Sequence, residues 1–194
     1  MYKVQSLIVR ISFLLVLIFI MNSPARAIDL TAFGGVQRQG KLTLQSAPGT
    51  TLNLLRTINA TNFGVFGVRF GHGGIFGGEH TLAFAPNFID ADTKAFIYNS
   101  DFRLQAPLPV VRPYGVVGLG LIGTSGEGVG RFGTKFALNY GGGVKVLPAG
   151  PIGIGVDVRG YSVPSTEFKV FSTQDQTVNF LEVSIGVVFT FSSK

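Results

Sequence analysis

The sequence predicts an all-β fold, eight antiparallel strands in an up-and-down barrel. Apolar residues alternate with small or polar ones through eight segments of about ten residues each. No segment after residue 27 shows the 3.6-residue period of a helix. The chain also combines 27 glycines with 18 phenylalanines among its 194 residues, a mixture suited to a tightly curved and crowded sheet.

Residues 1–27 predict a secretory signal peptide. Lys3 and Arg10 supply the positive start, residues 11–21 (ISFLLVLIFIM) the apolar core, and Ala25-Arg26-Ala27 the small-residue cleavage site. The apolar run is short for a transmembrane helix, which takes ~20 residues. Residues 28–194 then form one domain. Removal of Lys3, Arg10 and Arg26 lowers the formal charge from +6 to +3, too small an excess to argue for nucleic acid. The absence of cysteine excludes a lipid-anchored lipoprotein and any disulfide framework.

The strands follow in order. Residues 28–37 place Leu30, Ala32 and Val36 on one face, and 38–61 read as a long polar loop. In 62–71, Phe66, Val68 and Phe70 are in phase, with Arg69 opposite. A glycine-rich connection is expected over 71–78. The third strand, 79–88, puts Leu82, Phe84 and Phe88 together, with Pro86 weakening its upper end. The fourth, 94–105, aligns Phe96, Tyr98, Phe102 and Leu104. The fifth, 110–122, aligns Val111, Val117, Leu119 and Leu121. Loop 123–133 leads to a hairpin over 134–161, and loop 162–179 to the last strand, 180–191.

Volume decides which face is outside. An eight-stranded barrel has an interior only large enough for side chains. Four to six large residues per strand would overfill it, whereas the opposite face, rich in Gly, Ala, Ser, Thr and Asn, fits. The fold expected is therefore an eight-stranded antiparallel up-and-down transmembrane β-barrel, with the apolar face toward lipid and every strand edge paired by closure. The inner face also carries Glu79, Asp101, Asp157 and Glu182 against Arg69, Arg103, Arg112, Lys145 and Arg159. These nearly balanced charges are expected to pair as a structural interior network, because an unpaired buried charge is costly. Tyr98 and Tyr140 fall on the outward face, Tyr114 and Tyr161 on the inward one.

In the hairpin both strands turn odd-numbered residues inward, so directly opposed residues sum to an even number. This requires an odd-numbered turn, such as Pro148-Ala149-Gly150, or a bulge. It sets Asp157 against Gly141 or Gly143.

The segments PYGVVGLGL (113–121), NYGGGVKV (139–146), GIGVDVRGY (153–161) and EVSIGVVFTF (182–191) resemble the last four strands of small bacterial outer-membrane barrels of the OmpA-like and OmpX-like kind. The chain differs in continuing past Phe191 with Ser192-Ser193-Lys194, where such barrels commonly end on an aromatic residue. The resemblance implies a monomer in the outer membrane, in contact with lipid, lipopolysaccharide and the assembly machinery. Both termini would lie in the periplasm, because the strand number is even. It further implies a structural, adhesion or surface-contact role through loops 38–61, 123–133 and 162–179. A narrow porin-like channel is the alternative, and a soluble lipocalin-like carrier or a lipid-modifying hydrolase are further ones.

Other constellations weigh little. Gly118-Leu119-Gly120-Leu121-Ile122-Gly123 has the G-x-G-x-x-G spacing, but TSGEGVGRFG follows it where a nucleotide site needs a helix. His72, Glu79 and His80 are the metal-like cluster, but no further strong ligand is near them in the sequence, so no metal or other cofactor is expected. Lipid A deacylases of this size carry a His and a Ser two residues apart on one strand face. Here the histidines are followed by Gly74 and Leu82, so a non-enzymatic barrel is expected.

Overall fold

A computed structural model describes residues 28–40, 42–44, 56–58, 62–127, 131–166 and 176–191. The signal-like segment 1–27 and the terminal Ser192-Ser193-Lys194 lie outside them, as do the middle parts of the loops at 38–61, 123–133 and 162–179. The described residues form ten strands: β1 (Ile28–Gln39), β2 (Leu42–Leu44), β3 (Arg56–Ile58), β4 (Asn62–Gly73), β5 (Phe76–Ala85), β6 (Thr93–Gln105), β7 (Val111–Gly126), β8 (Thr134–Ala149), β9 (Ile152–Thr166) and β10 (Gln176–Phe191). Eight of them close a barrel in the order β1-β10-β9-β8-β7-β6-β5-β4, and β2 and β3 pair as a separate short ribbon.

The register fixes the barrel's shape. Stepping across paired residues from Asp29 leads through Gly71, Glu79, Asp101, Gly118, Asn139, Tyr161 and Phe180 to Gln39, ten residues further along β1. A stagger of that size over eight strands tilts them by ~40°, within the usual range for small membrane barrels.

The connections alternate in length more regularly than the sequence suggests. The glycine-rich stretch 71–78 is mostly strand, and only Gly74 and Ile75 separate β4 from β5. Gly73 takes φ +96° there, a conformation that favours glycine. The expected third strand, 79–88, is displaced: β5 starts at Phe76 and stops at Ala85, just before Pro86. Connections β4–β5, β6–β7 and β8–β9 therefore lie at one end with both termini, and the longer ones lie at the other. At the β8–β9 turn the bulge is the solution adopted. Asp157 pairs with Gly143, an even sum, and the register shifts between Val146 and Ala149 ahead of a Gly150-Pro151 turn.

Leu, Val, Ile and Phe side chains cover the outer wall of all eight barrel strands. The wall is interrupted between its rims on β4–β6 by His72, His80, Tyr98 and Ser100. Phe136, at 72% exposure, is as open to its surroundings as a side chain on a wall can be. The interior divides into two zones. Toward the end that holds the termini it is charged. Toward the loop end it is apolar, filled by Phe63, Phe132, Val163, Val178 and Phe180 with Ile97 and Ile122. The small-and-charged interior expected from the sequence holds for the first zone only.

Phe88 completes the apolar zone. It does not join Leu82 and Phe84 on the outer wall, because the chain leaves the sheet at Ala85 and folds back over the barrel mouth. Its ring meets Phe63 edge-on at 4.9 Å, Phe180 at 5.5 Å and Phe132 at 6.1 Å. Ile89 is buried beside it with φ +69°, an uncommon conformation for a β-branched residue. The fold holds it there: Phe88 N–H donates to Thr93 O at 2.7 Å, and the Asp90 carboxylate accepts from Asp92 N–H at 2.9 Å and the Thr93 hydroxyl at 3.0 Å.

The hairpin register is testable by crosslinking. Val144 and Val156 are direct partners on the outer wall, so Val144→Cys with Val156→Cys should form a disulfide readily. Val144→Cys with Asp157→Cys should not; efficient crosslinking of that odd–even pair would refute the register.

Candidate functional site

The charged zone arises from the period-two alternation of the strands, which turns Asp29, Arg69, Glu79, Asp101, Arg103, Lys145, Asp157, Arg159 and Glu182 inward. Residues with long or charged side chains need space in so narrow a tube, and glycine supplies it. Gly71 pairs with both Asp29 and Glu79, Gly77 with Arg103, and Gly118 with Asp101. Gly155 pairs with Lys145, Gly143 with Asp157, and Gly141 with Arg159. A Cβ at Gly71 would collide with the Arg103 guanidinium, and one at Gly118 with the Asp101 carboxylate.

The nine charges form one connected network. Arg69 pairs with Glu182 at 2.6 Å and Asp157 at 3.2 Å. Arg159 pairs with Asp157 at 2.9 Å, with Asp101 at 3.2 Å and with Glu79. Glu79 lies 3.7 Å from both Arg103 and Lys145, and these reach Asp29 at 2.6 Å and 3.0 Å. Arg103 and Arg159 are 0% exposed. Neutral groups complete the coordination. Asn139 donates to both oxygens of Asp101 at 2.9 Å, Gln37 donates to Glu182 at 2.7 Å, and the Tyr114 hydroxyl donates to Asp157. The Arg69 guanidinium lies 3.6 Å over the Phe33 ring and Lys145 Nζ 4.8 Å over Tyr114. With Tyr114 from β7, all eight barrel strands contribute.

Eight of the nine charges expected inside come together here; Arg112 does not. It lies near the terminal end of β7, half-buried, and its Nε donates to Leu108 O at 3.1 Å. The odd–even alternation of β7 points it inward, but so close to the strand's start it reaches back to the turn. Asp29, which the sequence does not single out, is the ninth charge of the network. The signal was present: Asp29 shares the inward phase of β1 with Thr31, Phe33 and Gln37.

The histidine cluster separates. The Glu79 carboxylate is inside the barrel, while the His72 and His80 rings stack at 6.0 Å on the outer wall. His80 continues the ladder onto Tyr98, with Nδ1 and the phenol oxygen 3.2 Å apart. The glycines of the G-x-G-x-x-G stretch lie within β7, where Gly118 and Gly120 make room for Asp101 and Asn99 of the neighbouring strand.

A closed barrel with an apolar wall and a salt-bridged interior is the architecture of an integral outer-membrane protein, and the family comparison agrees. Residues 11–191 match the model of the outer membrane protein β-barrel domain. The chain belongs to this family. No curated protein sequence matches it. Among solved structures it is similar to neisserial surface protein A (TM-score 0.63, 14% identity, covering 85% of this chain and 99% of that one). It is also similar to the N-terminal barrel domain of Pseudomonas aeruginosa OprF (0.54, 15%, 86% and 98%) and to P. aeruginosa OprG (0.53, 11%, 87% and 98%). At these identities the likeness is one of fold. Membership of the outer-membrane barrel family places the protein in the bacterial outer membrane with its apolar wall in lipid, and overturns the soluble-carrier alternative.

The network predicts a graded response to substitution. Arg159→Met strips three carboxylates of a shared cation and should cost about 3–5 kcal/mol. Asp29→Asn, which leaves Arg103 and Lys145 short of a partner, should cost somewhat less. Arg112→Gln should stay within about 0.5 kcal/mol of the parent. Urea unfolding in lipid vesicles measures all three, and a destabilisation by Arg112→Gln equal to that of Arg159→Met would contradict the assignment.

Proposed function

We propose that the protein is a closed, non-conducting outer-membrane barrel that supports the integrity of the membrane and offers its longer loops for surface contact. The observation that carries this reading is the double obstruction of the lumen. Water entering from the loop end would meet the seal of Phe63, Phe88, Phe132 and Phe180, and below it a network whose guanidinium groups are fully enclosed. Passage of an ion would require both layers to rearrange, and this counts against the porin-like alternative. The connection 86–92 lends Phe88 to the seal and 127–133 lends Phe132, and in this reading the connections between β1 and β4, β7 and β8, and β9 and β10 are the segments offered to partners.

A non-enzymatic role goes with this reading. Among the described residues, the hydrogen bond of the His80 ring goes to a tyrosine, not to a serine that it could activate as a nucleophile. In this reading the termini and the shorter connections β4–β5, β6–β7 and β8–β9 face the periplasm, and the longer connections face outside. This follows from an even strand number and from the habit of such barrels of keeping short turns on the periplasmic side.

In planar bilayers the purified protein should give no reproducible unitary steps above leak. The double variant Phe88→Ala/Phe180→Ala, which hollows the seal but leaves the charged network in place, should stay silent as well. Regular steps from the parent protein would support the conducting alternative. In intact cells an impermeant maleimide should label Arg131→Cys but reach Pro151→Cys only after lysis; the opposite pattern would invert the orientation.

A further inference from the structure

The outer wall carries a groove near its loop end. Arg38 of β1 pairs with Leu181 of β10, Leu181 with Gly160 of β9, and Gly160 with Tyr140 of β8. All four face outward in one row across four strands. Gly160 leaves a gap in that row, and the Tyr140 ring leans across it. A Cβ at Gly160 would sit 2.6 Å from the ring's Cζ. The gap opens into a groove of roughly 370 Å³ lined by Arg38, Gly40, Tyr140, Gly160, Asn179 and Leu181 among others.

The chemistry of the groove is uneven in a useful way. Below Arg38 the outward positions of β1 are Leu30, Ala32, Gly34 and Val36, all uncharged. Below Leu181 those of β10 are Val183, Ile185, Val187 and Phe189. Arg38 is therefore the first cation met on leaving the apolar wall, at the height where hydrocarbon gives way to headgroups. Among the described residues no acidic side chain lines the groove. The exposed Asn179 carboxamide and Tyr140 phenol are polar groups within the same groove. A ligand matching this surface has a phosphate above and acyl chain below.

We propose that this groove is a specific site for lipid A, the phosphorylated and multiply acylated glycolipid of the outer leaflet. Arg38 and Asn179 hold a phosphate, and one acyl chain lies over Gly160 between Leu181 and Tyr140. A bidentate guanidinium–phosphate contact supplies both strength and orientation. The inference rests on the orientation given above, since only a loop end facing outward puts the groove in the outer leaflet.

Full-length protein in neutral detergent, titrated with bis-phosphorylated lipid A and followed by native mass spectrometry, tests it. Dephosphorylated lipid A and phosphatidylglycerol serve as the comparison ligands. The parent should prefer bis-phosphorylated lipid A to both. Arg38→Gln should weaken that binding by about tenfold and abolish the preference over the dephosphorylated form. Arg38→Lys should retain part of the preference. Gly160→Ala, which fills the gap, should weaken both forms of lipid A alike. Arg38 is exposed at a strand end, so its substitution should leave the urea midpoint unchanged. Parent-like lipid A binding by both Arg38→Gln and Gly160→Ala would overturn the site, as would phosphatidylglycerol binding as tight as lipid A. Inverted maleimide labelling would instead remove the orientation, and with it the outer leaflet as the source of the ligand.

Discussion

Arg159 gathers the carboxylates of three strands around one guanidinium, and the interior is arranged about that contact. Glu79 and Asp101 are directly opposed on β5 and β6, a placement that would ordinarily drive two strands apart. Arg159 bonds both, and also takes Asp157 from its own strand. Through Asp157 it reaches Arg69 and Glu182, and through Glu79 it reaches Arg103, Lys145 and Asp29. Many apolar sequences would satisfy the lipid wall. Far fewer arrangements of nine charges satisfy a tube this narrow, so the interior does more than the wall to specify a single register.

Space imposes the second constraint. Strand number and stagger set the bore, and what enters must fit. In the charged zone the fit comes from glycine on the neighbouring strand, which is why a chain so rich in phenylalanine is also rich in glycine. In the apolar zone the bore is filled instead by large rings, and Phe88 and Phe132 are brought in from connections.

The strand pattern was legible because alternation is a local property, and volume alone decided which face met lipid. The Asp157–Gly143 pairing followed from parity, with a bulge resolving the turn. What escaped the sequence depends on where strands stop. Phe88 continues the outward phase of its neighbours perfectly well as letters, and only the break at Pro86 sends it inside. Arg112 and Asp29 sit near strand starts, where one or two residues decide whether a side chain meets the lumen, the turn or the periplasm. The groove beside Arg38 was invisible for a different reason. Its four sides come from positions 38, 140, 160 and 181, which nothing but the barrel's closure makes neighbours.

The reach of the network along the chain bears on how the barrel is made. Gln37 and Glu182 are 145 positions apart, Arg69 and Glu182 are 113 apart, and Lys145 is 116 from Asp29. A partly assembled sheet exposed to hydrocarbon would carry guanidinium and carboxylate groups whose partners had not yet arrived, each an expensive passenger in a medium without water. Half-inserted forms are therefore poor resting places. Insertion and closure should proceed as one cooperative event, with the last strand's Glu182 arriving as the seam between β1 and β10 zips shut.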